Sequence, residues 1–457
     1  MELLDVLRQQ AASQSNRDDP EILDLWALRI LKHGGPDARM LKRIANGFDG
    51  VRQVLGIGDG AEPKSVSELG QLIDRKLGAA EARGAELPEA VSRNLALLCE
   101  RVPLNSVEQL VLVSRALLQT SDPWEDSIIT VGGGYLSDKR LAKLLAAAFR
   151  QMPAEIFHAL RRQGPLRSAG LIELNPALAA FEHKLTPLEG LPNALLRENS
   201  DADELIGFAA RRAPPAALTL RSYPHLAREI ELARDYLAGT KESRLTGVNI
   251  LLHGPPGTGK TELVRTIADV LGWKLYEVSS EGEAGEWESH PSSRFRRYRF
   301  LQQLLSCSPK TLVIFDEIED VLHAGDDKKR IPKAEFNRIL ETNPVPAFWV
   351  SNHTWHLDPA YLRRFDLIIE VGSPPQSVRK RVLEEALDLR HESCPAIDGI
   401  AAAEDLTPAV LARAAKVVRH RISDMASVAE RLDVVLKGYR NATRSSNQSG
   451  ALVLPRH

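Results

Sequence analysis

A glycine-rich loop between an apolar run and a helical pattern carries residues suited to phosphate chemistry. The loop reads Gly254, Pro255, Pro256, Gly257, Thr258, Gly259, Lys260 and Thr261. It follows the apolar run 248–253 and precedes a helical pattern at 262–268, and this context identifies a P-loop. Glycines let backbone N–H groups turn toward phosphate oxygens, and the helix N-terminus adds the positive end of its dipole. The motif predicts that Lys260 reaches the β- and γ-phosphates of a nucleotide and that Thr261 binds Mg²⁺.

Carboxylates follow a later apolar segment. The run 311–315 is continuously apolar, as expected for a strand buried on both faces of a parallel sheet. It ends in Asp316 and Glu317, the Walker B pattern. Open α/β sheets place ligands at the carboxyl ends of their strands. We therefore predict that Asp316 binds Mg²⁺ through water and that Glu317 polarises an attacking water. The next carboxylates, Glu319 and Asp320, fit a solvated acidic strand end.

Composition places the chain among ordinary globular proteins. It has 457 residues, of which 43% are hydrophobic and 26% charged, and a formal net charge of −2. This balance requires neither nucleic acid nor an anionic membrane as a partner. Three scattered cysteines without CxxC spacing favour reduced thiols. The N-terminus lacks signal-peptide features, and the apolar runs are shorter than a membrane span. We predict a cytoplasmic protein with no membrane partner.

Periodicity and proline content divide the chain into five predicted parts. They are a mainly helical N-terminal domain at 1–185, a connector at 186–220, an α/β P-loop domain with a parallel sheet at 221–375, a small helical lid at 376–439, and a disordered tail or linker stub at 440–457. Capping boxes predict helix N-caps at Ser65, with Glu68, and at Ser106, with Gln109.

Two segments raise the alternative of nucleic-acid binding. Residues 137–174 have the order of a helix-turn-helix followed by a wing, and Arg161 and Arg162 lie on its second predicted helix. Residues 294–300 alternate arginines with aromatic residues, a pattern that binds single strands in some proteins. We favour a plainer interpretation, in which the arginines of 294–300 face solvent or a neighbouring subunit. A nucleic-acid partner is therefore an alternative that we do not favour.

The stretch after the Walker B pattern carries the features of a known family. An apolar run at 347–351 is followed by Asn352, and the run 357–366 contains adjacent Arg363 and Arg364. With the P-loop and Walker B residues, the segment 247–375 resembles the classical AAA clade of the AAA+ ATPases, which includes FtsH-type proteases, katanin and the proteasomal ATPases. Within that clade it is most similar to bacterial chaperone-like ATPases. The resemblance implies a P-loop NTPase fold with a helical lid.

The resemblance also implies roles for individual residues. Asn352 matches sensor 1, which orients the lytic water, and Arg363 and Arg364 match arginine fingers that reach a neighbouring subunit's site. A homo-oligomeric ring, a hexamer in this family, is then required. The implied activity is Mg²⁺-dependent ATP hydrolysis that remodels a protein client of unknown identity. Two alternatives stay open, an ATP-gated nucleic-acid-binding switch that uses 137–174 and an ATP-regulated scaffold.

The sequence departs from the family pattern at three places. The two arginines are adjacent, without the usual Pro-Gly insert, so Arg364, directly before Phe365, is the firmer match. The predicted pore loop, 279–293, has Trp287 as its one aromatic residue and lacks the aromatic-hydrophobic-glycine triplet. The resemblance therefore implies hydrolysis more firmly than threading of a polypeptide. Arg413 in the predicted lid leaves sensor 2 unassigned.

Overall fold

The computed structural model describes most of the chain. The described residues are 21–58, 62–133, 136–175, 177–178, 181–199, 201–243, 245–280, 291–322, 331–354, 357–388, 395–403, 405–419 and 425–450. They fall into two compact units. The first contains the described residues up to Ala210 together with Ser279–Cys307, and the second contains Arg211–Val278 and the described residues from Ser308 onward.

Helices account for most of the described residues. Those before the P-loop are α1 Glu21–Gly34, α2 Ala38–Ala45, α3 Asp49–Leu55, α4 Val66–Arg83, α5 Glu89–Cys99, α6 Ser106–Ala116, α7 Asp122–Gly132, α8 Asp138–Phe149, α9 Pro153–Ala159, α10 Pro165–Ser168, α11 Phe181–Lys184, α12 Leu191–Leu196, α13 Ala202–Leu205 and α14 Ala227–Ser243. Those after it are α15 Lys260–Leu271, α16 Pro291–Leu304, α17 Ile318–Leu322, α18 Lys333–Thr342, α19 Pro359–Leu362, α20 Gln376–Leu387, α21 Pro395–Ala402, α22 Pro408–Val418 and α23 Met425–Gly450. Within the described ranges, none is long and apolar enough to cross a membrane.

The first unit is mainly helical, with one antiparallel strand pair. Strands β1 Ile172–Leu174 and β2 Leu185–Pro187 form this pair. The core is built from apolar residues at helical spacing, and Trp26 of α1 is buried in it. The Trp26 ring contacts Trp124, at 5.5 Å between centroids, and Phe149, at 5.0 Å. Aromatic contacts of this kind stabilise packing beyond the contribution of buried area alone. They hold α1 between α7 and α8.

Helix α6 begins at Ser106, but the N-cap predicted there is wrong by one residue. The N-cap is Asn105, whose side chain accepts a hydrogen bond from the Glu108 N–H, while the Glu108 carboxylate accepts from the Asn105 N–H. Asn is as good an N-cap as Ser, and the reciprocal bonds here join Asn105 to Glu108 instead of Ser106 to Gln109. The N-cap predicted at Ser65 agrees with the structure, since its hydroxyl accepts a hydrogen bond from the Glu68 N–H.

The segment considered for a helix-turn-helix forms α8, α9, the short helix α10 and β1. The second helix ends at Ala159, so Arg161 and Arg162 lie beyond it and not on its face. Strand β1 pairs antiparallel with β2. The segment therefore differs from the predicted order by the additional helix α10, and its second helix lacks the two arginines.

The arginines of α16 do not face solvent, contrary to the sequence-based interpretation. Arg294 and Arg297 are buried. The Arg296 guanidinium donates to the carbonyls of Gly170, Leu171 and Thr186. Burial lowers the pKa of Arg296 to about 10, so it remains charged near neutral pH. The reason for the difference is that backbone carbonyls of the first unit, remote in sequence, need donors at this position.

We expect Arg296→Ala to lower the free energy of unfolding of the first unit by about 3 kcal/mol, because three carbonyls lose a charged donor. A urea titration followed by hydrogen exchange within residues 21–210 measures the change. Arg161→Ala, at an exposed position of the same unit, is the control and should change the value by about 0.5 kcal/mol or less. Equal unfolding midpoints for the two variants would show that the carbonyl contacts do not stabilise the unit.

The second unit contains a largely parallel sheet. Its strands are β3 Ala210–Arg212, which belongs to this unit from Arg211 onward, β4 Asn249–His253, β5 Lys274–Val278, β6 Thr311–Phe315, β7 Ala347–Ser351 and β8 Leu367–Glu370. Among the described residues they have the order β3-β5-β6-β7-β4-β8, and the pairs that join β4 to β8, β4 to β7, β7 to β6 and β6 to β5 are parallel. Every residue of β6 and β7 is buried. The predicted α/β fold with a parallel P-loop sheet is confirmed.

The last four helices, α20 to α23, share a separate apolar core. It includes Leu383, Leu411 and Leu432, each fully buried. Helix α23 continues to Gly450, whereas the sequence predicts a disordered tail from 440; residues 451–457 lie outside the described residues. Extending an existing helix avoids the cost of nucleation. In addition, Arg440 pairs with Asp405 at 2.8 Å.

Candidate functional site

The P-loop connects the carboxyl end of β4 to the N-terminus of α15. Gly254, Gly257 and Gly259 all have positive φ angles, of 145°, 80° and 93°. A Cβ on Gly254 would lie 2.2 Å from the Val371 carbonyl oxygen, so only glycine fits there. Of the motif residues named from the sequence, Gly254, Pro255, Pro256, Gly257, Thr258 and Gly259 therefore form a compact turn. Lys260 and Thr261 are the first two residues of the helix that follows, and a turn ahead of a helix N-terminus is the geometry that binds phosphate.

Lys260 lies at the centre of the site. Its ammonium donates to the carbonyls of Gly254, at 2.7 Å, and Pro255, at 3.0 Å, and to Asn352 Oδ1 at 2.9 Å. Burial lowers its pKa, and the carboxylates of Asp316, Glu319 and Glu317 oppose that shift. The three carboxylates therefore help to keep a largely buried lysine charged.

Register explains why Asn352 reaches the P-loop. His253, the last residue of β4, pairs with Ser351, the last residue of β7. The next residues along the two parallel strands are Gly254 and Asn352, so both follow the same edge of the sheet. The structure thus brings together Lys260 and Asn352, which lie far apart in the sequence.

Asp316 lies beside Thr261. The Thr261 hydroxyl donates to Asp316 Oδ2 at 2.6 Å. A hydroxyl and a carboxylate are oxygen donors of the kind that Mg²⁺ prefers, and P-loop proteins hold the ion with this pair. These two side chains therefore fit a magnesium ion.

Glu317 has an unusual backbone conformation. Its φ angle is +52°, and its N–H donates to Asp316 Oδ1 at 2.9 Å. A positive φ is uncommon for a residue with a side chain, and such residues concentrate at functional sites. The Glu317 side chain is exposed. The carboxylate therefore has access to water next to Asp316.

Glu319 was missed by the sequence-based interpretation, which treated it as part of a solvated strand end. Its Oε1 accepts a hydrogen bond from the Asn352 N–H at 3.0 Å, and its Oε2 lies 3.0 Å from the Ser351 hydroxyl. Glu319 is thus bonded to the end of β7. The sequence carried no sign of this contact, because 32 and 33 positions separate the partners.

The two arginines take different positions. Arg364 donates to the Glu341 carboxylate at 2.9 Å and to the Ala360 carbonyl at 2.6 Å, while Arg363 is exposed. These contacts hold Arg364 against α18 and α19 of its own chain. Whether the arginines act on a neighbouring copy stays a prediction.

The segment before α14 and the lid both contact the P-loop. The Tyr223 hydroxyl donates to the Gly259 carbonyl at 3.3 Å. Two residues earlier in the loop, the Gly257 carbonyl accepts a hydrogen bond from the Ala409 N–H of α22 at 3.3 Å. A Cβ on Gly257 would lie 2.7 Å from the Thr407 hydroxyl. The loop is therefore contacted both by the segment before α14 and by α22, which belongs to the lid that the sequence predicts.

Two further predicted features have different outcomes. Arg413 is exposed on α22, and nothing in its position assigns it as sensor 2. Most of the predicted pore loop, including Trp287, lies outside the described residues.

Comparison with known proteins agrees with this geometry. Residues 250–373 match the family "ATPase family associated with various cellular activities (AAA)". The chain is 30% identical over 175 residues to proteasome-activating nucleotidase 2 of Halobacterium salinarum, covering 34% of this chain and 42% of that protein. It is 31% identical over 146 residues to ATPase family gene 2 protein homolog B of Bos taurus, covering 30% and 19% of the two chains.

A third relative is the ATP-dependent zinc metalloprotease FtsH of Lachnoclostridium phytofermentans, 30% identical over 148 residues, with 30% of this chain and 25% of that protein covered. The chain therefore spans less than half the length of each of these curated relatives. Residues 250–373 of this chain form an ATPase domain of the AAA family.

Proposed function

We propose that the protein is an AAA+ ATPase that binds ATP, hydrolyses it with Mg²⁺ and uses the energy to remodel a protein client. One observation carries the proposal: the Lys260 ammonium lies 2.9 Å from Asn352 Oδ1, and the Thr261 hydroxyl lies 2.6 Å from Asp316 Oδ2. Phosphate, metal and water ligands contributed by three strands thus meet at one edge of the sheet.

The residues take distinct roles in the proposed reaction. Lys260 and the P-loop N–H groups bind the β- and γ-phosphates. Thr261 and Asp316 would hold Mg²⁺, which when bound neutralises phosphate charge. Glu317 accepts the proton of the attacking water, and Asn352 orients that water toward the γ-phosphorus.

We further propose that the active protein is a ring, with a hexamer as the expected size. Arg363 is exposed, as an arginine that acts on a neighbouring copy must be, and Arg364 lies next to it. In the proposed ring these arginines neutralise charge on the phosphoryl group of the neighbouring site.

A protein client fits better than nucleic acid. Two of the relatives are named as a proteasome-activating nucleotidase and an ATP-dependent metalloprotease. In this chain, Arg296 and Arg299 of α16 donate to main-chain carbonyls, so they do not present free cations to a phosphate backbone. We propose that the helical first unit selects the client and that the protein is chaperone-like and cytoplasmic.

The test of the ATPase is phosphate release by the purified full chain with MgATP. Turnover should disappear with EDTA, and Lys260→Ala should weaken ATP binding about 30-fold, since a hydrogen bond from a charged group is worth about 2 kcal/mol. The control is Lys274→Ala, an exposed lysine at the amino end of β5, which should leave binding unchanged. Undiminished binding by Lys260→Ala would reject the nucleotide site.

A further inference from the structure

The carboxylate of Glu319 links α17, the helix that follows β6, to the carboxyl end of β7. Glu319 lies on α17, two residues after Glu317, and its side chain is half-buried. Its two oxygens bind the Asn352 N–H and the Ser351 hydroxyl, each at 3.0 Å. Ser351, the last residue of β7, is fully buried, so its contact with Glu319 is made at the carboxyl end of that strand.

Asn352 lies one residue beyond the last pair of β4 and β7. Its N–H therefore needs a hydrogen-bond partner from outside the sheet. The last pair in the register of β4 and β7 is His253 with Ser351. The first N–H past that pair belongs to Asn352, and it donates to Glu319. The Asn352 side chain is bound at its other end by Lys260. Glu319 and Lys260 therefore fix the backbone and the amide of the same residue.

We propose that Glu319 is a positioning residue of the ATPase, which sets the place of Asn352 relative to Glu317. This inference rests on the function proposed above. Because α17 follows Glu317 directly, the positions of the base and of the water-orienting amide are then both set by one short helix. A displacement of about 1 Å at such a group can cost on the order of 10²-fold in rate.

The glutamine and alanine variants separate hydrogen bonding from charge. Glu319→Gln keeps an oxygen for the Asn352 N–H and a polar group for Ser351, whereas Glu319→Ala removes both. We expect the kcat of Glu319→Ala to fall about 10- to 100-fold, with the Kd for ATP changed by less than about threefold because the phosphate contacts remain. Glu319→Gln should recover most of the lost kcat. Asp320→Ala, at the exposed carboxylate next in the chain, is the matched control.

The decisive measurement is a double-mutant cycle with Asn352→Ala. If Glu319 acts through Asn352, then Glu319→Ala should slow the Asn352→Ala enzyme by no more than about twofold. The inference would be overturned if the kcat losses of the two single variants multiplied fully in the double variant, or if kcat were unchanged in Glu319→Ala. Should Glu319→Ala not fold, Glu319→Asp, shorter by one methylene, replaces it with the same expectations.

The outcomes also separate this inference from the proposed function. If Glu317→Gln abolishes turnover while Glu319→Ala has wild-type kcat, the ATPase stands and the positioning role is wrong. If the wild-type chain releases no phosphate from MgATP, the proposed function itself is wrong, and the positioning role fails with it.

Discussion

Glu317→Gln is expected to bind ATP with unchanged affinity and to hydrolyse it about 10²–10⁴-fold more slowly, because a general base contributes that much to rate. Glutamine is nearly the same size, so the left-handed backbone at this position and the bond from its N–H to Asp316 Oδ1 should persist. Phosphate release gives the rate, and equilibrium titration with ATP gives the affinity.

Asp320→Asn is the control for Glu317→Gln, since it neutralises an exposed carboxylate on the same short helix. It should keep wild-type turnover. Wild-type turnover by Glu317→Gln would remove this residue from the proposed mechanism. With ATP bound and hydrolysis blocked, Glu317→Gln should also retain the client, and mass spectrometry of what co-purifies then identifies it.

Arg364→Ala is expected to lower turnover about 10³–10⁵-fold if the residue is an arginine finger. Arg363→Ala tests the adjacent candidate. The affinity for ATP should change little in either case, since the arginine acts on charge that develops during phosphoryl transfer. Steady-state turnover at saturating ATP, with oligomer size checked by light scattering, makes the measurement.

Mixing distinguishes action in trans from damage to the fold. Arg364→Ala keeps Glu317, and Glu317→Gln keeps Arg364, so mixed rings contain some complete sites. Turnover of the mixture should then exceed that of either protein alone. Glu341→Gln is the control, because it breaks only the pair between Arg364 and Glu341 within one chain, and it should remain active. No recovery on mixing, from rings shown to exchange subunits, would contradict a role in trans.

The nucleotide site illustrates what local sequence determines. The P-loop, Asp316 and Glu317 were predicted residue by residue, because each feature is contiguous: a glycine loop needs its glycines in order, and a buried parallel strand needs an unbroken apolar run. The same patterns predicted β4, β6 and β7 and hence the α/β fold. Asn352 and the arginines came from resemblance to a family, and their roles await the experiments above.

Tertiary structure decided the features that depend on pairing across the chain. Glu319 looked like a solvated carboxylate until β7 was placed beside α17. The arginines of α16 looked exposed until the carbonyls at 170, 171 and 186 were placed around Arg296. Tyr223 and Thr407 reach the P-loop from distant segments. In each case the partner of a polar group lies far away in the sequence, so its burial and hydrogen bonding follow from packing and not from local pattern. The sequence by itself determined that the site is built for a nucleotide. Only the folded chain decided which residues position the groups that act on it.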